Sequence, residues 1–384
     1  MNQLLKEKYQ ASRQFGLRNP RILVAPLDWG LGHVTRCVPI IEELLRLQCE
    51  VWIATDGPQQ QLLQKEFPGI SFLKLDGYKI KYSTSHIGTV FKILLQSKKI
   101  LRAITNENAW LKKQVKEYFF DAVISDNRYG LYHTTIPCVF ITHQLRIKSP
   151  FGRWTENILQ KRNYRFINRF SECWVPDEEE EINLAGELSH PVKKPAVPVK
   201  YLGILSRLST LNIEEKKDHL LIILSGPEPQ RSILENKIIA ELSHYNGTAT
   251  VVRGLPESGR MIPSTNMIRF YNHLNAEELG IELSRAEYII SRCGYSTVMD
   301  VVRMQKKSIL VPTPGQSEQE YLADYLSLKH IACCSRQKEF SLIQSLNKAK
   351  QFSYHLPLLS KKNNLKNVIE DLIIFITNSR VKSQ

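Results

Sequence analysis

The sequence predicts an α/β protein of two domains, each built on a parallel sheet that is covered by helices on both faces. A chain of 384 residues is longer than one typical hydrophobic core supports. Short apolar segments of strand length alternate with helical segments along most of it. The alternation breaks once, in a proline-rich and then charged stretch at residues 190–218. We therefore expect two βα domains joined by one linker.

The first half supplies six predicted strands. They are RILVAP, EVWIAT, ISFLKL, DAVISD, PCVFIT and ECWVP. A helix begins near His33, a short one follows the second strand, and a basic one precedes the sixth. Residues 87–118 are predicted to be helical because Phe91, Leu94, Leu95 and Leu101 recur at helical spacing among lysines.

The second half repeats the pattern after the linker. Its predicted strands are HLLIILSG, TATVVRG, NMIRFYN, AEYIIS and KSILVPTPG, the last clear one. A helix is expected from Gln230, and NLKNVIEDLIIFITN near the C-terminus reads as an amphipathic helix that packs on one of the domains.

Composition indicates a folded protein of a reducing compartment. Hydrophobic residues make up 42% of the chain, and no apolar run reaches the roughly 20 residues that span a bilayer. The N-terminus has scattered charges and no apolar core of a secretory signal. The seven cysteines form no CxxC pair or ligand box, so we expect buried thiols and a cytoplasmic location.

The net charge of +14 is concentrated in residues 78–170, which hold 17 Lys or Arg and 5 Asp or Glu. Aromatic residues are interleaved with these cations, namely Trp110, Phe119, Phe151, Trp154 and Tyr164. This composition suits single-stranded nucleic acid or an anionic membrane surface, and a merely solvated face is the third interpretation.

Three loops have the position of ligand-binding loops, between the carboxyl end of a strand and the start of a helix. In the first, Gly30 and Gly32 allow close backbone approach and His33 lies at the helix start. It is not the dinucleotide fingerprint, because Thr35 stands where the third glycine belongs. A glycine turn with a packed histidine is the alternative.

The second loop is LSGPEPQRS, in which Ser225 and Gly226 can cradle an oxygen and Arg231 offers a planar fork for phosphate. A proline-rich turn with a solvated arginine is equally compatible with it. In the third loop, ISRCGYSTVMD, a turn at Gly294 leads to a helix. We expect Ser296 and Thr297 to cap this helix, with Asp300 one turn along on the face of Ser296. Asp300 also fits a capping box with Thr297.

The stretch ISRCGYSTVMDVVRMQKKSILVPTPGQSEQEYLADYL resembles the C-terminal domain of family 28 glycosyltransferases, and GLGHVTR resembles the start of a group of predicted glycosyltransferases. The resemblance implies the GT-B fold, in which two Rossmann-like domains with parallel sheets face a central cleft. The N-terminal domain, residues 1–203, would then bind the acceptor, and the C-terminal domain, residues 204–361, would bind the donor. A C-terminal helix, at about 362–380, would pack back on the first domain.

The same resemblance implies a site for a UDP-sugar. Gly294, Ser296 and Thr297 would hold the diphosphate with Arg292, Arg231, Ser225 and Gly226, and Asp300 would take the place of the ribose-binding acid. The segment from Phe270 to Leu274 falls where a loop packs on the uracil. Gln319 and Glu320 match the pair that reads the sugar hydroxyls, although two glutamines are usual there, which leaves the donor sugar open.

Enzymes of this fold neutralise the leaving diphosphate with arginines, helix N-termini and amides, so we expect no metal and no other cofactor. His33 is the candidate base, since a helix N-terminus keeps an imidazole neutral, and Asp126 would orient it or act in its place. An acceptor-phosphate contact or simple packing are the alternatives for His33. Gly30, Gly32 and His143 are assigned to the acceptor side of the cleft.

The sequence thus predicts an inverting, metal-independent transferase that moves N-acetylglucosamine from a UDP-sugar to a lipid-linked or glycan acceptor. The basic region would contact an anionic membrane at its cytoplasmic face, and nucleic acid is not expected. Two alternatives are a nucleotide-sugar 2-epimerase, whose acidic glycine-rich donor loop SRCGYST does not match, and a non-catalytic nucleotide-sugar or nucleic-acid binding protein.

Overall fold

The computed structural model describes residues 18–78, 97–180, 182–208, 210–256, 258–358 and 364–382. Four sequence predictions lie partly outside these residues. They are the absence of a signal segment at the N-terminus, the helix at 87–118 up to residue 96, the basic region 78–170 over residues 79–96, and the first residues of the C-terminal helix at about 362–380.

The first sheet has seven parallel strands in the order β3-β2-β1-β4-β5-β6-β7. The strands are β1 (Arg21–Ala25), β2 (Glu50–Thr55), β3 (Ser71–Lys74), β4 (Ala122–Asp126), β5 (Cys138–Ile141), β6 (Glu172–Val175) and β7 (Val199–Tyr201). Its helices are α1 (Leu31–Arg46), α2 (Gly57–Glu66), α3 (Ser97–Tyr118) and α4 (Arg153–Ile167). A short 3₁₀ helix (Gly186–Leu188) follows β6.

The second sheet has six parallel strands in the order β10-β9-β8-β11-β12-β13. The strands are β8 (Lys216–Ile223), β9 (Thr248–Val252), β10 (Ile268–Tyr271), β11 (Ala286–Arg292), β12 (Lys307–Val311) and β13 (Cys333–Cys334). The helices that follow are α5 (Gln230–Leu242), α6 (Ala276–Arg285), α7 (Tyr295–Arg303), α8 (Ser317–Leu328), α9 (Leu342–Gln351) and α10 (Asn364–Lys382).

The predicted fold class and alternation are confirmed, with two corrections at strand level. The stretch predicted as linker contains β7, which pairs with β6, and the start of β8. The last strand is β13 and not β12, and it pairs with β12 over Ile309 and Leu310. Strands of two or three residues are too short to show a period of two, so only their pairing reveals them.

Each sheet reverses its strand order once, at β1 and β4 in the first and at β8 and β11 in the second. Such reversals separate the loops at the carboxyl edge and leave a crevice there. In the first sheet the crevice is entered by the turn before α1, where Gly30 has a φ of +78° that favours glycine. His33, in the first turn of α1, and Asp126, the last residue of β4, meet in this crevice.

The two domains meet along α1 and α7, and one apolar cluster runs through both of them. Tyr295, Val298 and Met299 of α7 belong to the same cluster as Val34 and Val38 of α1. The last helix, α10, packs on α1 and β7, and Arg380 within it bonds Asp121 of the first domain. Among the described residues, no helix has the length and apolarity to cross a membrane.

Candidate active site

His33, Arg36 and Asp126 form a buried cluster at the switch point of the first sheet. Nδ1 of His33 lies 2.9 Å from Oδ2 of Asp126, and Nη2 of Arg36 lies 2.7 Å from the same Nδ1. Arg36 holds both carboxylate oxygens of Asp126, with Nε donating to Oδ2 over 2.9 Å and Nη2 to Oδ1. The Asp126 side chain is fully buried, while 16% of the His33 side chain remains exposed. The imidazole is thus the part of the cluster that faces solvent.

Charge and burial set the protonation states of this cluster. Burial lowers the pKa of His33, and the nearby Arg36 lowers it further, against the opposing effect of Asp126. For Asp126, burial alone would raise the pKa, but Arg36 and His33 lower it to about 2. At neutral pH the cluster therefore holds an ionised carboxylate and a neutral imidazole, which is the state that a general base needs.

His143, placed on the acceptor side, joins this cluster to the second domain. Its Nδ1 lies 3.3 Å from Nη1 of Arg36, and its Nε2 lies 2.7 Å from Oε1 of Glu318 in α8. Its ring stacks on Tyr295 of α7, with the centroids 4.2 Å apart and the planes 9° apart. Both partners in the second domain follow a strand at its carboxyl edge, so the two crevices face each other.

Gly32 fills a different role from the predicted one. A Cβ at Gly32 would lie 2.9 Å from Oγ of Ser296, and that hydroxyl donates to the Gly32 carbonyl over 2.9 Å. The close backbone approach therefore admits the second domain rather than an acceptor molecule. At Gly30 a Cβ would meet nothing within 4 Å, so this glycine faces open space.

Arg292 ends β11 with 1% of its surface exposed. Nη2 donates to the Gln230 carbonyl over 2.5 Å and Nη1 to the Val311 carbonyl over 3.4 Å, while Nε has no hydrogen-bond partner among the described residues. No carboxylate of the described residues forms an ion pair with it, and burial lowers its pKa to about 10. A buried cation without a counterion is costly, and an anion placed close to it would offset that cost. The start of α7 at Gly294 lies two residues further on.

The predicted capping of α7 is wrong. Gly294 has the N-cap position, and no side chain caps the helix. Ser296 and Thr297 lie inside the first turn, because the helix begins at Tyr295, before either hydroxyl residue. Asp300 does not form a capping box with Thr297, since its Oδ1 accepts from the hydroxyl of Ser206, 2.6 Å away. Ser296 and Asp300 nevertheless share the face of α7 that contacts the first domain and the linker.

Arg231, predicted at the diphosphate, is engaged within its own domain. It is 5% exposed, and its guanidinium donates to Glu228 over 2.6 Å and to Glu235 over 3.1 Å. The helix brings Glu235 one turn away from Arg231, which the short loop motif alone did not reveal. Ser225 and Gly226, in contrast, are exposed at the carboxyl end of β8.

The remaining predicted donor residues take up positions of two kinds. Phe270 lies in β10 and not in a loop, and its ring belongs to the core of the second sheet, as Leu274 belongs to a neighbouring apolar cluster. With both of these side chains buried, a contact of the segment with uracil stays a prediction and would have to use its backbone or the residues between them. Gln319 accepts from the Thr313 amide over 2.9 Å, and Glu320 accepts from the Gly315 amide over 3.3 Å, so both side chains brace the loop before α8.

The basic region 78–170 presents one apolar stripe within its described part. Trp154 is 74% exposed, Phe151 54% and Ile158 47%; Phe151 lies two residues before α4, and the other two lie in its first two turns. Exposed cations surround them, namely Arg153, Lys161, Arg162 and Arg165. We call this set the α4 patch. Tyr164 and Trp110 do not contribute to it, because both pack into the core of the first domain.

Sequence reasoning missed four residues of the site. Arg36 is three residues from His33 on one helix face, a spacing that offered a signal. Glu318, Ser206 and Arg207 gave none, because they reach their partners across the cleft or from the linker. Arg207 bonds Glu66 of α2 over 2.8 Å and thereby ties the linker to the first domain.

Comparisons with known proteins agree with this geometry. Residues 270–372 match the model of the glycosyltransferase family 28 C-terminal domain. A relative from Buchnera aphidicola subsp. Schizaphis graminum is 21% identical over 93% of this chain and 99% of its own length, and one from Bacillus pumilus is 23% identical over 81% and 84%. Both are named UDP-N-acetylglucosamine–N-acetylmuramyl-(pentapeptide) pyrophosphoryl-undecaprenol N-acetylglucosamine transferase.

Solved structures show the same fold. The glycosyltransferase of kitacinnamycin matches with a TM-score of 0.61 at 11% identity, over 94% of this chain and 96% of that one. MurG of Acinetobacter baumannii matches with a TM-score of 0.51 at 15% identity, over 93% and 100%. The fold is the two-domain α/β fold of GT-B glycosyltransferases, and the family model and the named relatives support glycosyltransferase activity. More particularly, the match to the family 28 C-terminal domain runs from β10 into α10, which confirms the resemblance seen in the sequence.

Proposed function

We propose that this protein transfers N-acetylglucosamine from its UDP-sugar to a hydroxyl of a lipid-linked acceptor, with inversion and without a metal. One observation carries the proposal. The neutral imidazole of His33, held by ionised Asp126, opens towards the crevice of a family 28 domain. The names of the relatives, which specify this donor and a pyrophosphoryl-undecaprenol acceptor, support the choice of substrates.

The reaction needs one proton acceptor and one stabilised leaving group. The acceptor oxygen attacks the anomeric carbon from the face opposite the diphosphate, and its proton passes to Nε2 of His33. The bond from the anomeric carbon to the phosphate oxygen breaks, and UDP leaves with that electron pair. With Nδ1 of His33 donating to Asp126, Nε2 carries the lone pair that takes the proton.

The second domain supplies positive potential for the leaving diphosphate. Arg292 has carbonyl partners and no carboxylate partner within the described residues, and the N-terminus of α7, with Gly294 as N-cap, leaves its first amides free of side-chain caps. Gly226, with a φ of +100°, exposes the turn before α5. A buried cation and two helix starts are enough to bind a diphosphate without a metal ion.

The α4 patch suits peripheral contact with an anionic membrane at the cytoplasmic face. A tryptophan, a phenylalanine and an isoleucine surrounded by arginine and lysine is the composition of an interfacial helix. The patch begins eight residues after His143, in the same domain as the proposed acceptor side of the crevice. Glycan acceptors without a lipid are the narrower alternative.

The test is incubation of the protein with UDP-N-acetylglucosamine and, in parallel, with other UDP-sugars. We expect UDP and the cognate UDP-sugar to raise the melting temperature, and UDP to be released slowly by donor hydrolysis or faster with a polyprenyl-pyrophosphoryl glycan acceptor. His33→Asn is expected to reduce turnover about 10²–10⁴-fold with the affinity for UDP retained.

The outcomes separate the alternatives. Conversion of the UDP-sugar to its 2-epimer, with no transfer product, identifies a nucleotide-sugar 2-epimerase instead. Binding of UDP without any turnover of any donor identifies a non-catalytic module. Turnover by His33→Asn within a few-fold of the unaltered protein removes the base assignment.

A further inference from the structure

Glu318 reaches across the cleft and uses both of its carboxylate oxygens to hold the first domain. Oε1 accepts from Nε2 of His143 over 2.7 Å, and Oε2 accepts from the side-chain amide of Gln144. Glu318 lies in the first turn of α8, directly before Gln319 and Glu320, and its side chain is 31% exposed. A single side chain of the donor domain thus engages two consecutive residues of the acceptor domain.

The hydrogen bonds of His143 define its tautomer. Nδ1 faces Nη1 of Arg36, which can only donate, so Nδ1 must accept. Nε2 faces the carboxylate of Glu318, which accepts, so Nε2 must carry the hydrogen. A neutral His143 with hydrogen on Nε2 satisfies both contacts, and Tyr295 fixes the plane of the ring by stacking on it.

His33 has a choice of tautomer that the cluster must resolve. Its Nδ1 lies within hydrogen-bond distance of an acceptor, Asp126, and of a donor, Nη2 of Arg36. If Nδ1 carries the hydrogen, it donates to Asp126 and Nε2 is free to act as a base. If Nδ1 instead accepts from Arg36, Nε2 carries the hydrogen and the base is lost.

We infer that Glu318 is a positioning residue. It fixes the tautomer of His143, so that Nδ1 of His143 accepts a hydrogen bond from Nη1 of Arg36. This arrangement keeps the hydrogen of His33 on Nδ1, which donates to Asp126. The inference rests on the proposed role of His33. Closure of the cleft then also prepares His33 to act as a base, because Glu318, which orients the chain of hydrogen bonds through His143 and Arg36 to His33, belongs to the donor domain. An open cleft leaves His143 without Glu318 and leaves His33 free to change tautomer, which limits wasteful donor hydrolysis.

Among the described residues, His33 and His143 have few charged neighbours beyond this chain of hydrogen bonds. His33 faces Asp126, Arg36 and His143, and His143 faces Arg36, Tyr295 and Glu318. The pKa of Glu318 is lowered: burial would raise it, but His143, His33 and Arg36 together outweigh that effect. The carboxylate is therefore an acceptor at neutral pH.

The test is the tautomer of His33, read from the ¹⁵N shifts of its ring by long-range ¹H–¹⁵N correlation of histidine-labelled full-length protein. In the unaltered protein we expect hydrogen on Nδ1. Glu318→Ala is expected to populate hydrogen on Nε2 of His33 and to lower kcat about 10- to 100-fold, while the affinity for UDP changes less than about threefold. Glu318→Gln keeps an acceptor for His143 and is expected to restore kcat to within about threefold.

Two further variants keep the inference falsifiable. His143→Phe retains the stack on Tyr295 but removes both nitrogens, and it is expected to behave as Glu318→Ala. The control is Asp324→Ala on the same helix, which breaks an exposed pair with Arg336 inside the second domain and is expected to leave kcat and the tautomer unchanged.

Hydrogen on Nε2 of His33 in the unaltered protein overturns the inference, and so does a Glu318→Ala protein with unchanged tautomer and kcat. A Glu318→Gln protein as impaired as Glu318→Ala assigns the effect to charge instead and also overturns it. Absence of turnover in the unaltered protein counts against the proposed function alone, since the tautomer is measured without substrate.

Discussion

The hydroxyl of Ser206 donates to Oδ1 of Asp300 over 2.6 Å. Ser206 belongs to the linker that follows β7, whereas Asp300 lies on α7 in the donor crevice. Asp300 is the residue that the resemblance assigns to the ribose diol, so in this structure a linker side chain occupies part of its hydrogen-bonding capacity. Binding of a ribose at Asp300 would compete with Ser206 and thereby act on the linker between the domains.

The first prediction is that the two residues change UDP affinity in opposite directions. Asp300→Ala removes a charged acceptor and is expected to weaken UDP binding by about 10- to 100-fold. Ser206→Ala removes the competing hydroxyl and is expected to tighten it by about fivefold. Isothermal titration with UDP measures both. Unchanged affinity in Asp300→Ala would exclude this residue from the donor site.

Asp300 also makes stability depend on pH. Burial raises its pKa from 3.8 to about 6, with Ser206 and Arg207 opposing the shift in part. Between these two values the folded state binds a proton that the unfolded state has lost, so the free energy of unfolding falls as the pH rises from about 4 to about 6. In Asp300→Asn the side chain does not titrate, so this decrease in the free energy of unfolding is absent, while the amide oxygen still accepts from Ser206.

The second prediction is therefore that Asp300→Asn gains stability relative to the unaltered protein over that pH range, by at most about 3 kcal/mol above pH 6. Urea unfolding at pH 4.5 and pH 7.5 measures the difference. Equal gains at the two pH values would show that Asp300 keeps an ordinary pKa.

The third prediction contrasts two buried arginines. Arg292 has carbonyl partners and no carboxylate among the described residues, whereas Arg231 is bound by Glu228 and Glu235. Arg292→Met is expected to reduce UDP affinity at least tenfold and to leave the melting temperature of the free protein unchanged or higher, because it removes an uncompensated buried charge.

Arg231→Met serves as the matched variant. It leaves Glu228 without its ion-pair partner and the buried Glu235 with Arg253 alone, and it is expected to lower the melting temperature by several degrees with a smaller effect on UDP. Thermal unfolding with and without UDP distinguishes the two. The reverse order of effects would place Arg231, as the sequence analysis predicted, at the diphosphate.

The fourth prediction concerns the α4 patch. Replacement of Phe151, Trp154 and Ile158 by serine is expected to reduce binding to vesicles that contain phosphatidylglycerol by at least about tenfold. The reason is that serine has no apolar surface to bury in the membrane interface. Leu328→Ser, at a 77% exposed position of the second domain, is the control. Flotation with neutral vesicles is the second arm. Equal binding to neutral and anionic vesicles, or to neither, contradicts a role for this patch.

The fold was accessible from the sequence because its signals are local. Segments such as RILVA have the composition of buried strands, and the helices between them have an apolar face. Each element can therefore be predicted from a window of about ten residues. The family 28 motif extended this to the fold of the whole chain. What failed was local as well: β7 and β13 are held by pairing and not by pattern, and Gly294 rather than a hydroxyl begins α7.

The site was accessible only in part. His33 and Asp126 could be proposed together in advance, since one lies at a helix start after a predicted strand and the other at the end of a predicted strand. The engagement of Arg231 by Glu235, the burial of Phe270 in the core and the occupation of Gly32 by Ser296 could not. Each depends on which face of an element turns inward once the sheets have formed.

The sequence by itself determined the two parallel sheets, the order of their elements and the residue types that reach the cleft, because hydrophobic periodicity and turn residues act over a few neighbours. Only the tertiary structure decided which of those residues are already satisfied and which remain free for a ligand. Satisfaction of a buried polar group depends on partners more than 90 residues away, as for His33 with Asp126, and on the docking of one domain against the other, as for His143 with Glu318.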